Sequence, residues 1–331
     1  MAESPKWALL TQALLGAAII FGVVWYIGAQ NLGRVFASID FRYLLLSSLA
    51  YLGMNALFAV RLRRVLKALG YSAKSHKLLL IQYGGMLASD VTPARSGYFA
   101  VPVMLASEKI PITVGLSSIL GIQSIEFFVK MLGGSLALIY LLSAVSLGSD
   151  VFVVSLMGIA LMFVGGVVLA AAVWSRKAAR LIEGINKVPL IGRFARILFG
   201  KIAEFQQEGA RIKSVAADIL VLTVLSWFLK AVEWYYIGMA LSIDQIPFIG
   251  YFLLHPLITA LSFVPLTPSG IGFQEGAAIG ALFLLGVETN LGLAFALMAR
   301  IIVTIQDLIG AYAISRTGVK IFEAVSTIRE R

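Results

Sequence analysis

Long apolar stretches separated by short polar or basic segments make up most of this chain. A helix needs about 20 apolar residues to cross a bilayer, and six stretches have that length and character. The predicted spans are residues 7–29, 42–60, 111–147, 151–174, 215–241 and 289–315. The pattern therefore predicts an all-α polytopic membrane protein. The first stretch exceeds the signal-peptide core of about 7–15 residues and is interpreted as a retained span.

Two other apolar stretches, 77–109 and 246–287, are interrupted by Pro and Gly. The first begins and ends beside lysines, and the second begins and ends beside acidic residues. Pro and Gly break helices, and a broken helix in lipid leaves backbone polar groups that need partners. We therefore predict two re-entrant hairpins, each made of two short helices. The alternatives at each position are a pair of full spans or a single kinked span.

Both interruptions carry the motif Thr-Pro-x-x-x-Gly-aromatic. The two copies are Thr92-Pro93-Ala94-Arg95-Ser96-Gly97-Tyr98 and Thr267-Pro268-Ser269-Gly270-Ile271-Gly272-Phe273. Each half of the chain then reads as span, span, hairpin and span, with opposite orientations in the two halves. This order predicts an inverted repeat of residues 1–150 and 151–331. Inverted repeats place a binding site near the middle of the membrane, where broken helices meet.

Basic residues dominate the charge and are unevenly placed. The net charge is +10, and Lys and Arg concentrate in segments 61–77 and 175–213 and in the C-terminal tail. Basic loops stay on the cytoplasmic side, so we expect a cell-membrane protein with both termini cytoplasmic. Segment 175–213 looks partly amphipathic and is placed at that face. Binding of anionic head groups by these loops is a secondary interpretation. Nucleic-acid binding is not expected, because the charges flank spans.

Composition excludes several chemistries. The chain is 60% hydrophobic and 13% charged, whereas soluble domains average about 25% charged residues. It has no cysteine, so disulfides, thiolate nucleophiles and Cys-ligated metals are impossible. The two histidines, His76 and His255, do not form a metal cluster. We expect no metal, no cofactor and no catalytic residue.

The hairpin tips are the first candidate site. A short helix should begin after Gly97 and after Gly272, and its unpaired N–H groups attract phosphate and other anions. Arg95 adds a forked donor suited to phosphate. Glu275 complements a helix dipole or caps the helix in the alternative interpretation. The predicted substrate-binding residues are Thr92, Arg95, Ser96, Gly97, Thr267, Ser269, Gly270, Gly272, Glu275 and Arg300.

Charged residues within the predicted spans are the second candidate group. Charges at membrane depth are costly and usually face a cavity or a partner. The spacings i,i+4 and i,i+3 place two pairs on shared helical faces, and we expect Arg300 to contact Glu126 or Glu275. We interpret the group as charge pairs or gating residues, with purely structural ion pairs as the alternative. Its members are Glu126, Lys130, Lys230, Glu233 and Asp307.

Several motifs support a family assignment. They are Arg61-Leu62-Arg63-Arg64 followed by Leu69-Gly70, Thr92-Pro93-Ala94-Arg95-Ser96-Gly97, Trp227-Phe228-Leu229-Lys230-Ala231, and Pro265-Leu266-Thr267-Pro268-Ser269-Gly270-Ile271-Gly272-Phe273-Gln274-Glu275-Gly276. With Arg300, they resemble the flippase-like integral membrane family related to the transmembrane region of lysylphosphatidylglycerol synthase, over nearly the whole chain. Tyr98 and Gln274 stand where that family often has an acid and an Arg. Phe127 and Lys130 likewise stand where an Arg and an Asp commonly follow the glutamate.

The residues and the resemblance together predict a lipid translocase. Its substrate would be an anionic phospholipid or a polyprenyl-phosphate-linked lipid, moved between leaflets. One alternative is an ion- or proton-coupled transporter of small anions in which Glu126, Glu275 or Asp307 titrates. Others are a membrane-embedded lipid-modifying transferase and the non-catalytic partner of one. Expected partners are lipids with anionic head groups, a separate lipid synthase or glycosyltransferase, and further copies of the chain in a homo-oligomer.

Overall fold

The computed structural model describes residues 39–90, 92, 96–145, 148–175, 202–262 and 273–317. The regular structure in these residues is helical, and they contain no strand. The helices are α1 (Phe41–Ala68), α2 (Ser75–Asp90), α3 (Val101–Ala106), α4 (Ile112–Ala144), α5 (Ser149–Trp174), α6 (Ile202–Lys213), α7 (Ala216–Ala240), α8 (Phe248–Ser262), α9 (Phe273–Leu284) and α10 (Thr289–Asp307). Two 3-10 helices, Ser96–Ala100 and Leu308–Gly310, precede α3 and follow α10. The all-α prediction is confirmed for these residues.

Four helices in the described ranges are long and apolar enough to cross a membrane. They are Phe41–Ala68, Ile112–Ala144, Ser149–Ala171 and Thr289–Thr317. Each corresponds to a predicted span. A fifth predicted span, 215–241, is the 25-residue helix α7, and the first, 7–29, lies outside the described residues. The chain is a multi-pass membrane protein, while the total of six spans and the inverted repeat stay predictions.

The outward faces of these helices are apolar. On α5, Val153, Met157 and Phe163 are all exposed, and Leu136 and Ile139 are exposed on α4. Exposed apolar area costs about 25 cal/mol per Å² in water but nothing comparable in hydrocarbon. The outer surface is therefore suited to contact with lipid chains.

The buried apolar residues form two main clusters, one around each hairpin. The first cluster joins α2 and α3 to the second half of α1 and the first half of α4, with Leu66, Leu105 and Ile119 among its members. The second cluster joins α8 and α9 to the end of α7 and the start of α10, and includes Tyr251 and Phe295. Each hairpin is thus held by its own core.

Both predicted hairpin regions consist of short helices. In the first, α2 has 16 residues, and the chain returns through the 3-10 helix and the six-residue α3. In the second, α8 and α9 have 15 and 12 residues, and they pack against each other. At about 1.5 Å per residue, a 16-residue helix covers about 24 Å, which is less than the hydrocarbon thickness of about 30 Å. Helices α2 and α3 are too short for full spans, and α8 and α9 are short over the residues that the structure describes, which favours the hairpin interpretation.

The first basic segment differs from its prediction. The sequence predicts a basic cytoplasmic loop over 61–77, but α1 continues to Ala68 and buries Arg61 to 1% exposure. Arg63 and Arg64 remain exposed on the same helix. The sequence pattern does not distinguish the three neighbouring arginines, whereas in the folded helix Arg61 is buried and the other two are exposed.

The described end of the second basic segment is amphipathic, as predicted. Helix α6 buries Ile212 in the first apolar cluster, while Arg211 and Lys213 on either side are exposed. Gly209 allows α6 to approach α5 closely, because a Cβ there would lie 2.0 Å from the Val173 carbonyl oxygen. The remainder of the segment before α6 lies outside the described residues.

A proline inside α8 leaves one helix carbonyl without its usual partner. Pro256 has no N–H, so the carbonyl of Phe252, four residues earlier, loses its intrahelical hydrogen bond. The indole Nε1–H of Trp227 on α7 donates to that carbonyl at 2.5 Å, and the ring stacks on Phe252 with centroids 4.2 Å apart. In lipid such a replacement is needed, because no water can supply the bond.

Replacing Trp227 with Phe should destabilise the folded protein by about 1–3 kcal/mol, the cost of an unsatisfied buried carbonyl. The aromatic stack is retained in this variant, so the loss reports mainly on the hydrogen bond. Denaturation of purified protein in mixed micelles measures the effect. A Trp227→Phe, Pro256→Ala double variant restores the α8 N–H and should recover much of the loss. Equal stabilities for wild type and Trp227→Phe would contradict this role of the indole.

Candidate functional site

A cavity of about 230 Å³ lies between the two hairpin regions and the long helices. It receives side chains from both apolar clusters, including Ile119 of the first and Phe295 of the second. Its charged lining residues come from six helices and are Arg61, Asp90, Glu126, Lys130, Lys230, Glu275 and Arg300. Charged groups at this depth need partners, and the described ion pairs supply many of them.

The first ion cluster centres on Glu126 of α4. One carboxylate oxygen lies 2.9 Å from Arg61 Nη2, and the other lies 2.7 Å from Lys130 Nζ. Arg61 Nη1 also donates to Thr223 Oγ1 on α7 at 2.7 Å. The predicted i,i+4 contact between Glu126 and Lys130 is present. The arginine ties three helices together through its two terminal nitrogens.

The second cluster joins α7 to α1 and α10. Lys230 Nζ lies 2.7 Å from Glu233, which is fully buried, so the predicted i,i+3 contact is present. The same ammonium lies 5.0 Å from the centre of the Tyr51 ring. The Tyr51 hydroxyl lies 2.9 and 3.0 Å from the two carboxylate oxygens of Asp307. A buried polar chain therefore connects Glu233 to Asp307 across three helices.

The third cluster is the ion pair between α9 and α10. Arg300 Nε and Nη2 both contact Oε1 of Glu275, at 2.6 and 2.5 Å. Of the two contacts expected for Arg300, the one with Glu275 is present, whereas Glu126 pairs with Arg61 and Lys130. Glu275 lies in the first turn of α9, so the pair joins the second hairpin to the last long helix.

Exchanging these two charges tests the contact directly. Arg300→Glu and Glu275→Arg should each lower stability by placing like charges together, and the double variant should recover part of the loss. Thermal unfolding of the four proteins in one detergent gives the coupling. A double variant no more stable than the worse single variant would count against a direct pair.

The first hairpin tip is organised by Thr92. Its hydroxyl donates to the Ala88 carbonyl at 2.9 Å and accepts the N–H of Gly97 at 2.6 Å. A Cβ on Gly97 would lie 2.0 Å from the Ala88 carbonyl oxygen, so only glycine fits there. The Gly97 N–H, predicted as an anion donor, is thus engaged within the hairpin. The described contacts give Thr92 and Gly97 of the motif a structural role.

Most of the other predicted tip residues lie outside the described part of the chain. Only the backbone of Ser96 is described. Five predicted substrate-binding residues lie outside the described ranges, namely Arg95, Thr267, Ser269, Gly270 and Gly272. Their proposed contacts with substrate stay predictions. Within the described ranges, no group of three or more His, Asp or Glu side chains is arranged to hold a metal ion.

Sequence reasoning missed Arg61 as a cavity residue. A signal was present in the spacing of α1, where Tyr51, Met54, Phe58, Arg61 and Val65 recur every three or four residues. This spacing places all five on one helical face, and the structure turns four of them inward as buried residues with Phe58 half-buried. Arg61 lies on this buried face, whereas its neighbours Arg63 and Arg64 do not, and the difference identifies Arg61 as a candidate cavity residue. Tyr98 and Gln82 were also missed as lining residues.

Known proteins similar to this chain are consistent with the architecture. The chain is 22% identical to a UPF0104 membrane protein of Pyrococcus horikoshii over 314 residues, a match covering 87% of this chain and 91% of the relative. No solved structure matches the chain. The family model of the lysylphosphatidylglycerol synthase transmembrane region matches residues 13–310. Because this match extends over most of its length, the chain belongs to the family of the lysylphosphatidylglycerol synthase transmembrane region.

Proposed function

We propose that the protein is a lipid translocase that moves an anionic phospholipid or a polyprenyl-phosphate-linked lipid between leaflets. The observation that carries the proposal is the cavity of about 230 Å³, which is lined by ion pairs within helices whose outer faces are apolar. Membership in the family of the lysylphosphatidylglycerol synthase transmembrane region supports a membrane-lipid role.

Lipid translocation requires a polar path for the head group and an apolar surface for the chains. The cavity and the outer faces of the helices have these two properties. A charged head group crossing hydrocarbon loses its water, and that loss is costly unless fixed polar groups replace it. The ion clusters around Arg61, Lys230 and Arg300 provide such groups inside the protein. The acyl or prenyl chains can meanwhile follow the apolar outer faces of the long helices.

In this proposal the second hairpin acts as a gate. The Glu275–Arg300 pair links α9 to α10 beside the cavity, and an anionic head group that attracts Arg300 would weaken this link. Arg95, at the tip of the first hairpin, would make the first contact with the phosphate, as the sequence suggests. The first ion cluster, around Glu126, would hold α1 and α4 in place beside the cavity.

We further propose that the protein lies in the cell membrane with both termini cytoplasmic and the two hairpins entering from opposite sides. Because the chain has no cysteine, single Cys variants give a clean test. Ser96→Cys should react with an impermeant maleimide only from the cytoplasmic side, and Ser269→Cys should react only from outside. Labelling of both positions from the same side would overturn the arrangement.

Leaflet exchange tests the proposed function. Vesicles with and without purified protein should carry head-group-labelled phosphatidylglycerol, a labelled polyprenyl phosphate or a labelled neutral lipid. We expect protein-dependent exchange of at least one anionic lipid and slower exchange of the neutral lipid. Equal exchange with and without protein for all anionic lipids would reject the proposal.

A second candidate is a proton-coupled transporter of small anions. It is favoured by the fully buried carboxylates of Glu233 and Asp307, which share a polar chain through Lys230 and Tyr51. Buried carboxylates in spans are typical of proton relays. Protein-dependent uptake of a soluble anion that varies with an imposed pH gradient, without lipid exchange, would support this candidate over the first.

A further inference from the structure

Three buried side-chain donors in the cavity wall have no hydrogen-bond partner among the described residues. Two of them, Nε of Arg61 and Nε2 of Gln82, belong to the packed helices α1 and α2. Both residues line the cavity and are at most 1% exposed. Buried donors are nearly always paired, and leaving one unpaired is costly. Two such donors in one wall point to a ligand that accepts hydrogen bonds.

The remaining polar atoms of these two residues are engaged. Arg61 uses Nη1 for Thr223 and Nη2 for Glu126. The Oε1 of Gln82 accepts the Tyr98 hydroxyl at 2.7 Å, which fixes the amide and leaves its NH₂ group as the available donor. The Tyr98 hydroxyl also lies close enough to the Arg61 guanidinium to share a hydrogen bond with it, and it is within electrostatic reach of Glu126. The Gln82 amide and the Arg61 guanidinium therefore belong to one part of the cavity.

A third unpartnered donor lies in the other core. Trp234 Nε1 lacks a partner among the described residues and also lines the cavity. Its ring packs edge-on against His255 and Phe295 in the second apolar cluster. Trp234 therefore belongs to a different part of the cavity from Arg61 and Gln82, which are linked through Tyr98.

The charge of this part of the cavity favours an anion. Arg61 and Lys130 both contact the carboxylate of Glu126, so two cationic side chains meet at this part of the cavity wall. Charge-assisted hydrogen bonds from a guanidinium to an anion are among the strongest in proteins. An anion with several oxygens can accept from Arg61 and Gln82 together while it faces Lys130.

We propose that Arg61, Gln82 and Lys130 form a phosphate-binding subsite in the cavity wall. The ligand is a phosphate ester whose unesterified oxygens accept the Arg61 Nε–H and the Gln82 amide. The assignment to a lipid phosphate rests on the proposed function. The phosphate chemistry itself does not, because a free phosphate would be held in the same way.

The experiment converts the Gln82 donor into an acceptor. Gln82→Glu keeps an oxygen for the Tyr98 hydroxyl but replaces the NH₂ group with a carboxylate that repels phosphate. Gln306→Glu is the matched control, since Gln306 also accepts a tyrosine hydroxyl, from Tyr83, but its amide already donates to Ser48. A third variant, Gln82→Met, removes the donor without adding charge, in case the buried carboxylate impairs folding.

Binding is measured on the full chain in detergent by native mass spectrometry. The probes are phosphatidylglycerol, diacylglycerol with the same acyl chains, and inorganic phosphate as a competitor. The wild type and Gln306→Glu should bind phosphatidylglycerol in preference to diacylglycerol. Gln82→Glu should weaken phosphatidylglycerol binding about 10- to 100-fold, and Gln82→Met about tenfold, as expected for lost hydrogen bonds to a charged group. Diacylglycerol binding should not change.

The outcomes separate the subsite from the proposed function. Unchanged phosphatidylglycerol binding in both Gln82 variants would overturn the subsite, even if the wild type still exchanges lipid between leaflets. Binding of inorganic phosphate that Gln82→Glu abolishes, in a protein that exchanges no lipid, would support the subsite and reject the lipid translocase. Loss of binding in Gln306→Glu equal to that in Gln82→Glu would also overturn the subsite.

Discussion

Glu126→Leu should destabilise the folded protein by about 3–5 kcal/mol, the cost of leaving a buried charge without its partner. The Arg61 side chain is almost fully buried and lies 2.9 Å from the Glu126 carboxylate. Without that carboxylate, Arg61 and Lys130 face each other in a poorly solvated cavity. Unfolding of the purified protein in mixed micelles, followed by circular dichroism, measures the loss.

Two further variants distinguish the loss of the Arg61–Glu126 ion pair from a simple change in packing. Arg61→Leu, Glu126→Leu should be more stable than Glu126→Leu alone, because replacing both charges removes the uncompensated arginine. Lys130→Met should have a much smaller effect, since the Lys130 side chain is 20% exposed and the Arg61–Glu126 contact survives. If Glu126→Leu unfolds at the same denaturant concentration as wild type, the carboxylate is not the counter-charge of Arg61.

Gly97→Ala should be the most damaging glycine substitution in the first hairpin, with a loss of about 3 kcal/mol, at the upper end of the usual cost of overpacking. The new methyl group would lie 2.0 Å from the Ala88 carbonyl oxygen. The two limbs of the hairpin, α2 and the 3-10 helix that contains Gly97, would therefore have to separate. Their separation would also break the bond from Gly97 N–H to Thr92. Thermal unfolding in detergent measures the stability, and protease resistance of the first hairpin reports its local order.

The matched control is Gly276→Ala in the second hairpin. A Cβ at Gly276 meets no atom within 4 Å, and alanine favours helix over glycine by about 1 kcal/mol. This variant should therefore be as stable as wild type or slightly more stable. A Gly97→Ala protein with the stability of Gly276→Ala would show that the limbs do not approach as closely as the structure indicates.

The helical architecture was predictable because lipid restricts what a chain can do. Stretches such as 111–147 and 151–174 have few alternatives once they must bury every backbone group in hydrocarbon, and they are the helices α4 and α5. The same restriction led to the hairpin prediction, because Pro and Gly interrupt two of the apolar stretches. The helices described there are short, as that prediction requires, and their re-entrant arrangement stays a prediction.

The partners of the cavity residues were predictable mainly where they lie close in the chain, although Glu275, 25 positions away, was one of two partners expected for Arg300. The Glu126–Lys130 and Lys230–Glu233 contacts follow from helical spacing. The Tyr51–Asp307 hydrogen bonds join residues 256 positions apart, and no pattern in one sequence identifies such a pair. Spacing along the chain shows which residues share a face of one helix, whereas contacts such as Tyr51–Asp307 depend on how several helices pack together.

The motif at the first hairpin shows a different limit. Sequence reasoning assigned Thr92 and Gly97 to substrate binding, and the structure adds a second role for both residues. The Thr92 hydroxyl bonds to both sides of the tip, and Gly97 allows the chain to pass close to Ala88. A residue pattern that favours a broken helix serves folding and binding equally well, so the binding role of these two residues stays a prediction.

Leaflet exchange with the cavity obstructed tests the central claim most directly. Ala296 is buried and lines the cavity of about 230 Å³, so Ala296→Phe adds a phenyl group there without changing any charge. Leu136→Phe, on an exposed apolar face, is the control. In vesicles carrying labelled phosphatidylglycerol, wild type and Leu136→Phe should exchange the lipid equally, and Ala296→Phe should exchange it no faster than protein-free vesicles. Wild-type exchange by a folded Ala296→Phe protein would contradict passage of the head group through this cavity.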